Sequence, residues 1–345
     1  MDLRLLNFFD ESQSRKSAVI RQTFANKKTA SNLYWALRYQ ILDYLNIYPK
    51  LNSIKFDYEI DQLVKKDLLV KKENEYLLSK KGKIELKKYN ETHLKIEHPE
   101  NFQRVNYVLW NAILLLLIQT ASEYTYHNNY YYVATDNLQA QYLVKKWLQH
   151  FGFDNLVVEL STCLKEFLSL QEQIKADIFA NKLIGHQQNG LTDEQIASLL
   201  NRESVEIEAT FKDLELQFAI FLLNKENHLS LMAKQVQLSG LITETVAQTI
   251  RLFKKGLTLP QIESIRHLKS STITEHLQIW ALADSNFPFY QVLSRNEIEL
   301  LDNIYENNEI DNWKFKQVQA QDADFSFYKF RLYSIMRTYD ESNTK

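Results

Sequence analysis

Apolar side chains recur at three- and four-residue intervals along most of this chain, and that spacing is typical of helices with one buried face. The clearest instance is Gly256–Ala281. There Ile262 and Ile265 mark the inward face of a first short helix, which ends near Leu268. A second stripe then follows at the same spacing: Ile273, Leu277 and Trp280. The pattern predicts two short helices joined by a tight turn.

Polar residues at the ends of these stripes indicate where each helix begins. Thr258 is placed to cap the first helix, and Pro260 suits its first turn, where a missing N–H costs little. The hydroxyls of residues 270–272 can satisfy free N–H groups at the start of the second helix. Thr272 and Glu275 also match the spacing of a capping box. The segment therefore predicts a helix-turn-helix, a motif whose second helix commonly enters the DNA major groove.

Residues 1–95 predict a separate N-terminal domain that begins with helices. Helical spacing covers Leu33–Ile47, and Pro49 ends that helix. A second helix is predicted from Ser53 to Lys66.

Two short apolar runs follow these helices and predict a small β-hairpin near residues 68–78. The runs are Leu68–Val70 and Tyr76–Leu78, with polar residues between them. Ser79 then caps a final helix. Helix, helix, hairpin, helix is the order of a winged helix, so we expect a winged-helix-like N-terminal domain.

Residues 96–240 are predicted to form a helical middle domain, set off from the first by a polar stretch around Pro99. Within it, residues 191–216 repeat a helix-turn-helix pattern, and Thr192 with Gln195 can form a capping box. The second helix of this copy carries three carboxylates that would face phosphates with the wrong sign: Glu203, Glu206 and Glu208. We therefore interpret it as a degenerate copy with a structural or partner-binding role.

Composition supports a mostly α-helical, multi-domain protein. The chain has 345 residues, of which 45% are hydrophobic, so it can bury two or three sizeable cores. Only 6 Gly and 4 Pro are present, too few for the many tight turns of a β-sandwich or barrel. The expected division is therefore into three domains: 1–95, 96–240 and the helix-turn-helix domain at 241–345.

Charge is distributed unevenly along the chain, although the net charge is only −2. Residues 1–100 carry 19 Lys and Arg against 14 Asp and Glu, whereas residues 101–240 carry 10 against 15. Any contact with nucleic acid must therefore come from local patches, because the global field does not supply it.

Two patches are candidate DNA-binding surfaces. In the last domain, hydroxyls and helix N-terminal amides can hold phosphates, and cations add affinity. The candidates there are Lys254, Lys255, Arg266, Lys269, Ser270, Ser271, Thr272, Thr274 and His276, although a structural role for His276, satisfying a backbone carbonyl at the helix edge, is favoured. In the hairpin region they are Lys71, Lys72, Lys80, Lys81 and Lys83, which can equally form a solvated face. Few of these groups suit base readout, so we expect weak sequence specificity.

The sequence carries no signature of an enzyme or of a cofactor site. It has no GxxxxGK(S/T) phosphate loop, GxGxxG turn, GxSxG elbow or HExxH helix. We therefore expect no catalytic residues, cofactor, metal or small-molecule substrate. The single cysteine, Cys163, fits a reducing cytoplasm. The most apolar segment, Ala112–Ile118, is too short to span a membrane.

Two phrases resemble a known family. GLTLPQIESIRHLKSSTITEHL at Gly256–Leu277, with DFSFYKFRL at Asp324–Leu332, is similar to the helicase-associated helix-turn-helix family. That module is found at the C-terminus of some RecQ-type helicases and closes the YpbB-like proteins, encoded beside a RecQ-like helicase in low-GC Gram-positive bacteria. This chain looks like the stand-alone YpbB-like type, without an ATPase portion. The likeness elsewhere is looser and rests on YWALRYQILDYLN and SKKG.

The resemblance implies a non-enzymatic accessory protein of DNA repair or recombination that binds a RecQ-like DNA helicase, DNA or both. An alternative is a sequence-specific transcription regulator that uses the C-terminal helix-turn-helix. A third is a protein–protein scaffold whose helix-turn-helix units are only packing devices. One position departs from the family pattern, because Glu263 stands where such motifs usually carry Ala. A buried Glu would be costly there, so we expect an open helix crossing.

Overall fold

The computed structural model describes residues 2–306 and 308–344, and over these residues the protein is mostly helical with one small antiparallel hairpin, as predicted. Internal contacts divide the chain into two compact units, which we name unit 1 and unit 2. Unit 1 contains the residues before Phe8, Lys65–Leu69 and Leu78–Leu238, and unit 2 contains Phe8–Val64, Val70–Leu77 and the residues from Ser239 onward. Compactness does not test whether a segment folds by itself, so the division into three domains stays a prediction.

The helices follow in chain order. They are α1 (Ser17–Phe24), α2 (Ala30–Arg38), α3 (Ser53–Lys65), α4 (Lys80–Thr92), α5 (Asn101–Arg104), α6 (Tyr107–Thr125), α7 (Leu138–Phe151), α8 (Phe153–Ser169), α9 (Gln173–Lys182), α10 (Asp193–Leu200), α11 (Ser204–Leu223), α12 (Leu229–Gln235), α13 (Glu244–Lys254), α14 (Leu259–Arg266), α15 (Ser270–Ala283), α16 (Phe289–Val292), α17 (Arg295–Tyr305), α18 (Phe315–Gln319) and α19 (Phe327–Thr344). The strands are β1 (Leu69–Lys72) and β2 (Glu75–Leu78). Among the described helices, none combines the length and the apolar character that crossing a bilayer requires.

Unit 1 is built around α11, which packs against α5, α6, α8, α9, α10 and α12. Aromatic side chains of α8, α9 and α11 form one buried cluster: Phe167, Phe179, Phe211 and Phe218. Full burial of each such ring contributes about 1.5–3 kcal/mol to stability. Because neighbours surround it, α11 is a core helix.

The helix pair predicted at residues 191–216 is present as α10 and α11. The predicted capping box of Thr192 and Gln195 starts α10. The next helix runs for 20 residues, longer than a reading helix needs. The Glu206 side chain is only 3% exposed and accepts a hydrogen bond from the Leu94 N–H. The pair therefore has a structural role in unit 1, and its carboxylates do not face outward as a set.

The N-terminal segment has one helix more than the two that were predicted, because α1 precedes them. The helix predicted over Leu33–Ile47 is wrong in its C-terminal half, because α2 ends at Arg38. Gln40 takes the left-handed conformation (φ 56°), and the Ile41 N–H donates to the Ala36 carbonyl (2.9 Å). These features close the helix, although the apolar spacing continues beyond it.

The predicted hairpin is confirmed, and a hydrogen-bonded clamp fixes the chain on either side of it. Ser79 Oγ accepts from the Gly82 N–H (2.8 Å), which caps α4, and donates to the Asp67 carbonyl (2.6 Å). The Ser79 N–H donates to the Leu68 carbonyl (3.0 Å). Gly82 lies so close to that group that a Cβ on it would stand 2.1 Å from the Leu68 oxygen. The SKKG phrase thus ties α4 to the residues before β1.

The order of elements in residues 1–95 is that of a winged helix, with α1–α3 before the hairpin and α4 after it. The two units divide this segment, because α4 belongs to unit 1 and the tip of the hairpin to unit 2. A winged-helix-like domain formed by these residues as one body therefore stays a prediction.

We expect Gly82→Ala to destabilise the protein. In an open helix this change would gain about 0.5–1 kcal/mol, but here the added Cβ overlaps the Leu68 carbonyl, and overpacking costs about 1–3 kcal/mol. The midpoint of urea unfolding measures the change. Lys80→Ala, at an exposed position in the same helical turn, is the control and should stay within about 0.5 kcal/mol of the parent. A midpoint for Gly82→Ala at or above the parent value would contradict the close approach of Gly82 to the Leu68 carbonyl.

Candidate nucleic-acid interface

Helices α13, α14 and α15 of unit 2 form the helix-turn-helix that the sequence predicted. The predicted cap at Thr258 is confirmed and is one half of a capping box, in which the Thr258 N–H donates to Gln261 Oε1 (2.8 Å). Pro260 lies in the first turn of α14, as expected. His267 ends that helix in the left-handed conformation (φ 51°), so the chain turns into α15 at once. Local side-chain chemistry therefore sets the bounds of α14.

The start of α15 differs from the prediction. Lys269 is the N-cap residue, and within the described chain no side chain caps this helix end. The predicted capping box of Thr272 and Glu275 is therefore wrong, since Thr272 already lies inside the first turn and its N–H donates to the Lys269 carbonyl (2.9 Å). Ser270 and Ser271 are exposed. This helix end presents free N–H groups and hydroxyls to solvent, with a lysine beside them.

Beyond its first turn, α15 is enclosed by α2, α13, α14 and α19, all of unit 2. Its buried side chains are Ile273, His276, Leu277, Gln278, Trp280, Ala281 and Leu282. Among residues 270–282, only Ser270 and Ser271 are exposed, while Thr272, Thr274, Glu275 and Ile279 are half-buried. The side chains of α15 most open to an outside molecule are therefore those of its first turn. Glu263 on α14 is half-buried rather than enclosed, so the expected cost of a buried carboxylate does not arise.

The exposed candidates of the helix-turn-helix are Lys254, Lys255, Lys269, Ser270 and Ser271. Thr272 and Thr274 are half-buried, and the Thr274 hydroxyl donates to the Ser271 carbonyl (3.0 Å), inside the helix. Lys254 Nζ lies 5.2 Å from the centre of the Trp280 ring, so its ammonium is held at the end of α13. The cations and hydroxyls that remain available lie at the C-terminus of α13 and the N-terminus of α15.

Two other candidates have internal partners instead. Arg266 donates to the Thr245 carbonyl (2.6 Å), the Thr245 hydroxyl (2.9 Å) and the Thr249 hydroxyl (2.5 Å). His276 is 7% exposed, and its Nδ1 lies 2.8 Å from Thr249 Oγ1. The structure thus corrects the assignment of His276 to a DNA-facing surface, because the ring is buried against α13. Arg266 directs its donors to α13 in the same network.

Sequence reasoning missed the two threonines that complete this network. Thr245 and Thr249 lie four residues apart, on one face of α13. Their spacing was visible in the sequence, but nothing there showed that an arginine and a histidine from α14 and α15 would meet them. The network fixes the three helices relative to one another.

The hairpin lysines are all exposed, and they are distributed over both units. Lys71 and Lys72 belong to unit 2, where Lys71 Nζ lies 6.0 Å from the centre of the Tyr76 ring. The others, Lys80, Lys81 and Lys83, belong to unit 1, where Lys81 Nζ donates to the Lys66 carbonyl (2.7 Å). A role for either set in DNA binding stays a prediction. Over the described residues, no group of three or more His, Cys, Asp or Glu side chains is arranged to hold a metal ion.

Comparison with known proteins agrees with this geometry. Residues 245–334 match a family described as a helix-turn-helix domain. Protein YpbB of Bacillus subtilis (strain 168) is 23% identical over 348 residues, which cover 95% of this chain and 97% of that protein. No solved structure is a significant match. The chain therefore carries a helix-turn-helix domain, which suggests DNA binding, and it is similar to YpbB along almost its whole length.

We expect acid to destabilise the helix-turn-helix through His276. Burial, together with the nearby Arg266 guanidinium, holds the pKa of His276 below its usual value. The pKa of a histidine in an unfolded chain is about 6.5. Below that pH the unfolded chain binds a proton that the folded chain does not, so the free energy of unfolding falls. The unfolding midpoint should drop between about pH 7.5 and about pH 5.5. His276→Gln should make that drop smaller.

The matched control for this experiment is His267→Asn. His267 is exposed, and Asn tolerates its left-handed backbone, so this variant should keep the acid-induced drop of the parent. An equal drop in His276→Gln and in the parent would contradict the role given to His276.

Proposed function

We propose that this protein is a non-enzymatic DNA-binding accessory protein that contacts the phosphate backbone through the first turn of α15 and reads little sequence. One observation carries the proposal. The N-terminus of α15 is exposed and uncapped beside Lys269, whereas most later side chains of the helix are buried or half-buried.

The chemistry of that turn suits a phosphate. Free N–H groups at a helix N-terminus carry a partial positive charge and point at a bound anion. Ser270 and Ser271 add hydroxyl donors, and Lys269 adds a full charge. The exposed Lys254 and Lys255 supply further cations from the end of α13. Together these groups form a backbone-binding surface of modest size.

The same geometry disfavours the alternative of a sequence-specific transcription regulator. Direct readout needs several side chains that reach base edges in the major groove. The middle of α15, which would carry such side chains, is buried with His276, Gln278 and Trp280. Selection from a random duplex pool should therefore return a flat profile.

The proposed partner is a RecQ-like DNA helicase, and the proposed place of action is the cytoplasm. Support comes from the likeness of Gly256–Leu277 to the helicase-associated family and from the similarity to YpbB over 95% of the chain. The missing phosphate loop fits a protein that leaves ATP hydrolysis to its partner.

Reversing the charge at α15 should weaken duplex binding. We expect Lys269→Glu to lower the affinity for a fluorescent duplex several-fold at low salt and to reduce the salt slope by about 1, the value of one phosphate contact. Fluorescence anisotropy over a salt series measures both quantities. Lys316→Glu is the control, because it makes the same charge change at an exposed position of unit 2 outside α13–α15. Equal affinities for the two variants would argue against the first turn of α15 as the contact.

Direct docking on a helicase should survive removal of DNA. We expect the tagged protein to retain the RecQ-like helicase of its own organism during co-purification, with or without nuclease treatment. Retention that disappears after nuclease would show bridging by DNA, and no retention in either condition would remove the helicase from the proposal.

A further inference from the structure

The segment between α6 and α7 presents aromatic rings to solvent. Tyr130 is 94% exposed and Tyr132 is 98% exposed, while Tyr131 between them is half-buried. Neither exposed side chain makes a hydrogen bond or ring contact with the described part of the chain. Packing within unit 1 therefore does not account for these two rings.

Side chains of α6 fix the backbone of this segment. Gln119 is buried, donates from Nε2 to the Tyr132 carbonyl (2.9 Å) and accepts from the Ala134 N–H at Oε1 (2.7 Å). A neighbouring strand would make the same pair of bonds to alternate residues. The Tyr131 hydroxyl donates to a threonine of α6 (3.3 Å). Tyr131 thus turns toward α6, whereas the side chains of Tyr130 and Tyr132 stand in solvent.

The base of the loop is braced as well. Glu123 is buried on α6, and its Oε2 accepts from Asn128 Nδ2 (2.7 Å) and lies 2.7 Å from His186 Nδ1. The ring of Tyr126 stacks on His186 with centroids 4.5 Å apart. These contacts fix the base of the loop that carries the exposed tyrosines.

The two exposed rings are free to stack on nucleobases. Both faces of each ring are open, and stacking needs a free face.

The helix that follows carries further exposed side chains and adds positive charge. Leu138, Tyr142 and Lys145 lie at i, i+4 and i+7 on α7, and all three are exposed, as is Lys146. Residues 126–151 contain two lysines and one carboxylate, whereas residues 101–240 as a whole carry 10 basic and 15 acidic residues. The aromatic loop therefore lies in a less acidic part of an acidic region.

We propose that this surface, formed by Tyr130, Tyr132, Tyr142, Lys145 and Lys146, binds single-stranded DNA by stacking bases on the tyrosines while the lysines hold the backbone. Such aromatic and basic combinations suit single strands, whose bases are free to stack. The exposed Lys145 and Lys146 favour a polyanion over an uncharged protein surface as the occupant. This site goes beyond the proposed duplex contact at α15 and does not depend on it.

The test uses the full chain with a fluorescein-labelled oligothymidylate and a duplex of equal length. The double variant Tyr130→Leu/Tyr132→Leu keeps apolar side chains but removes the flat rings, and we expect it to weaken oligothymidylate binding at least about tenfold. Tyr130→Phe/Tyr132→Phe keeps the rings and should bind within about twofold of the parent, because stacking needs no hydroxyl. Duplex affinity should be unchanged in both. Tyr290→Leu, at another exposed tyrosine but in unit 2, is the matched control.

The outcomes separate the two proposals. Loss of duplex binding in Lys269→Glu with oligothymidylate binding intact supports two independent sites. Equal oligothymidylate affinity for the Leu double variant and the parent, with an unchanged unfolding midpoint, would overturn the stacking site. So would a fall in molecular mass by light scattering in the Leu double variant at unchanged oligothymidylate affinity, because the tyrosines would then serve contacts between two copies of the chain.

Discussion

The burial of α15 is the constraint on which unit 2 depends. Trp280, near the C-terminal end of α15, packs against two phenylalanines, with ring centroids 4.8 Å from Phe287 and 5.9 Å from Phe253. The Tyr339 hydroxyl on α19 donates to the carbonyls of Ala281 and Leu282 (3.0 and 3.1 Å), which satisfies groups that a helix C-terminus leaves open. Helices from far apart in the sequence therefore cover one short helix. The helix-turn-helix is therefore a core element of unit 2.

That enclosure limits what the motif can do with DNA. Burying the apolar stripe stabilises the helix, but the same packing also buries two polar side chains, His276 and Gln278. Two arginines of unit 2 are also engaged within the fold, because Arg266 bonds to α13 and the Arg331 guanidinium lies 3.9 Å from the ring centre of Tyr34. What remains exposed is a helix end with hydroxyls and lysines, and this chemistry recognises phosphate without regard to sequence.

Unit 1 relies on buried polar groups that hydrogen-bond across helices. The Glu215 side chain on α11 is fully buried, and burial raises its pKa to about 7. Asn111 donates to its carboxylate (2.7 Å), and the Trp110 indole donates to its main-chain carbonyl (2.7 Å). Such groups are costly to bury without partners. These bonds therefore fix the register of α6 against α11, and α6 in turn braces the tyrosine loop through Gln119.

The sequence by itself determined the local elements. Apolar spacing and short-range chemistry were enough for the mostly helical class, the hairpin, the cap at Thr258 and the capping box at Thr192, because each depends on residues within a few positions. The same reasoning failed at two helix ends, where the backbone did not follow the side-chain pattern. The helix over Leu33–Ile47 ended early, before Gln40, and Thr272 lay inside α15 and not at its cap.

Only the tertiary structure decided which parts of those elements face solvent. Periodicity marks one buried stripe on a helix, but it cannot show that α15 is covered on several sides or that His276 meets Thr249 from another helix. Nor could it show that Gln119 holds the segment that carries Tyr132. These facts depend on contacts between residues distant in sequence, and such contacts are set by the packing of the whole chain and not by any short segment of it.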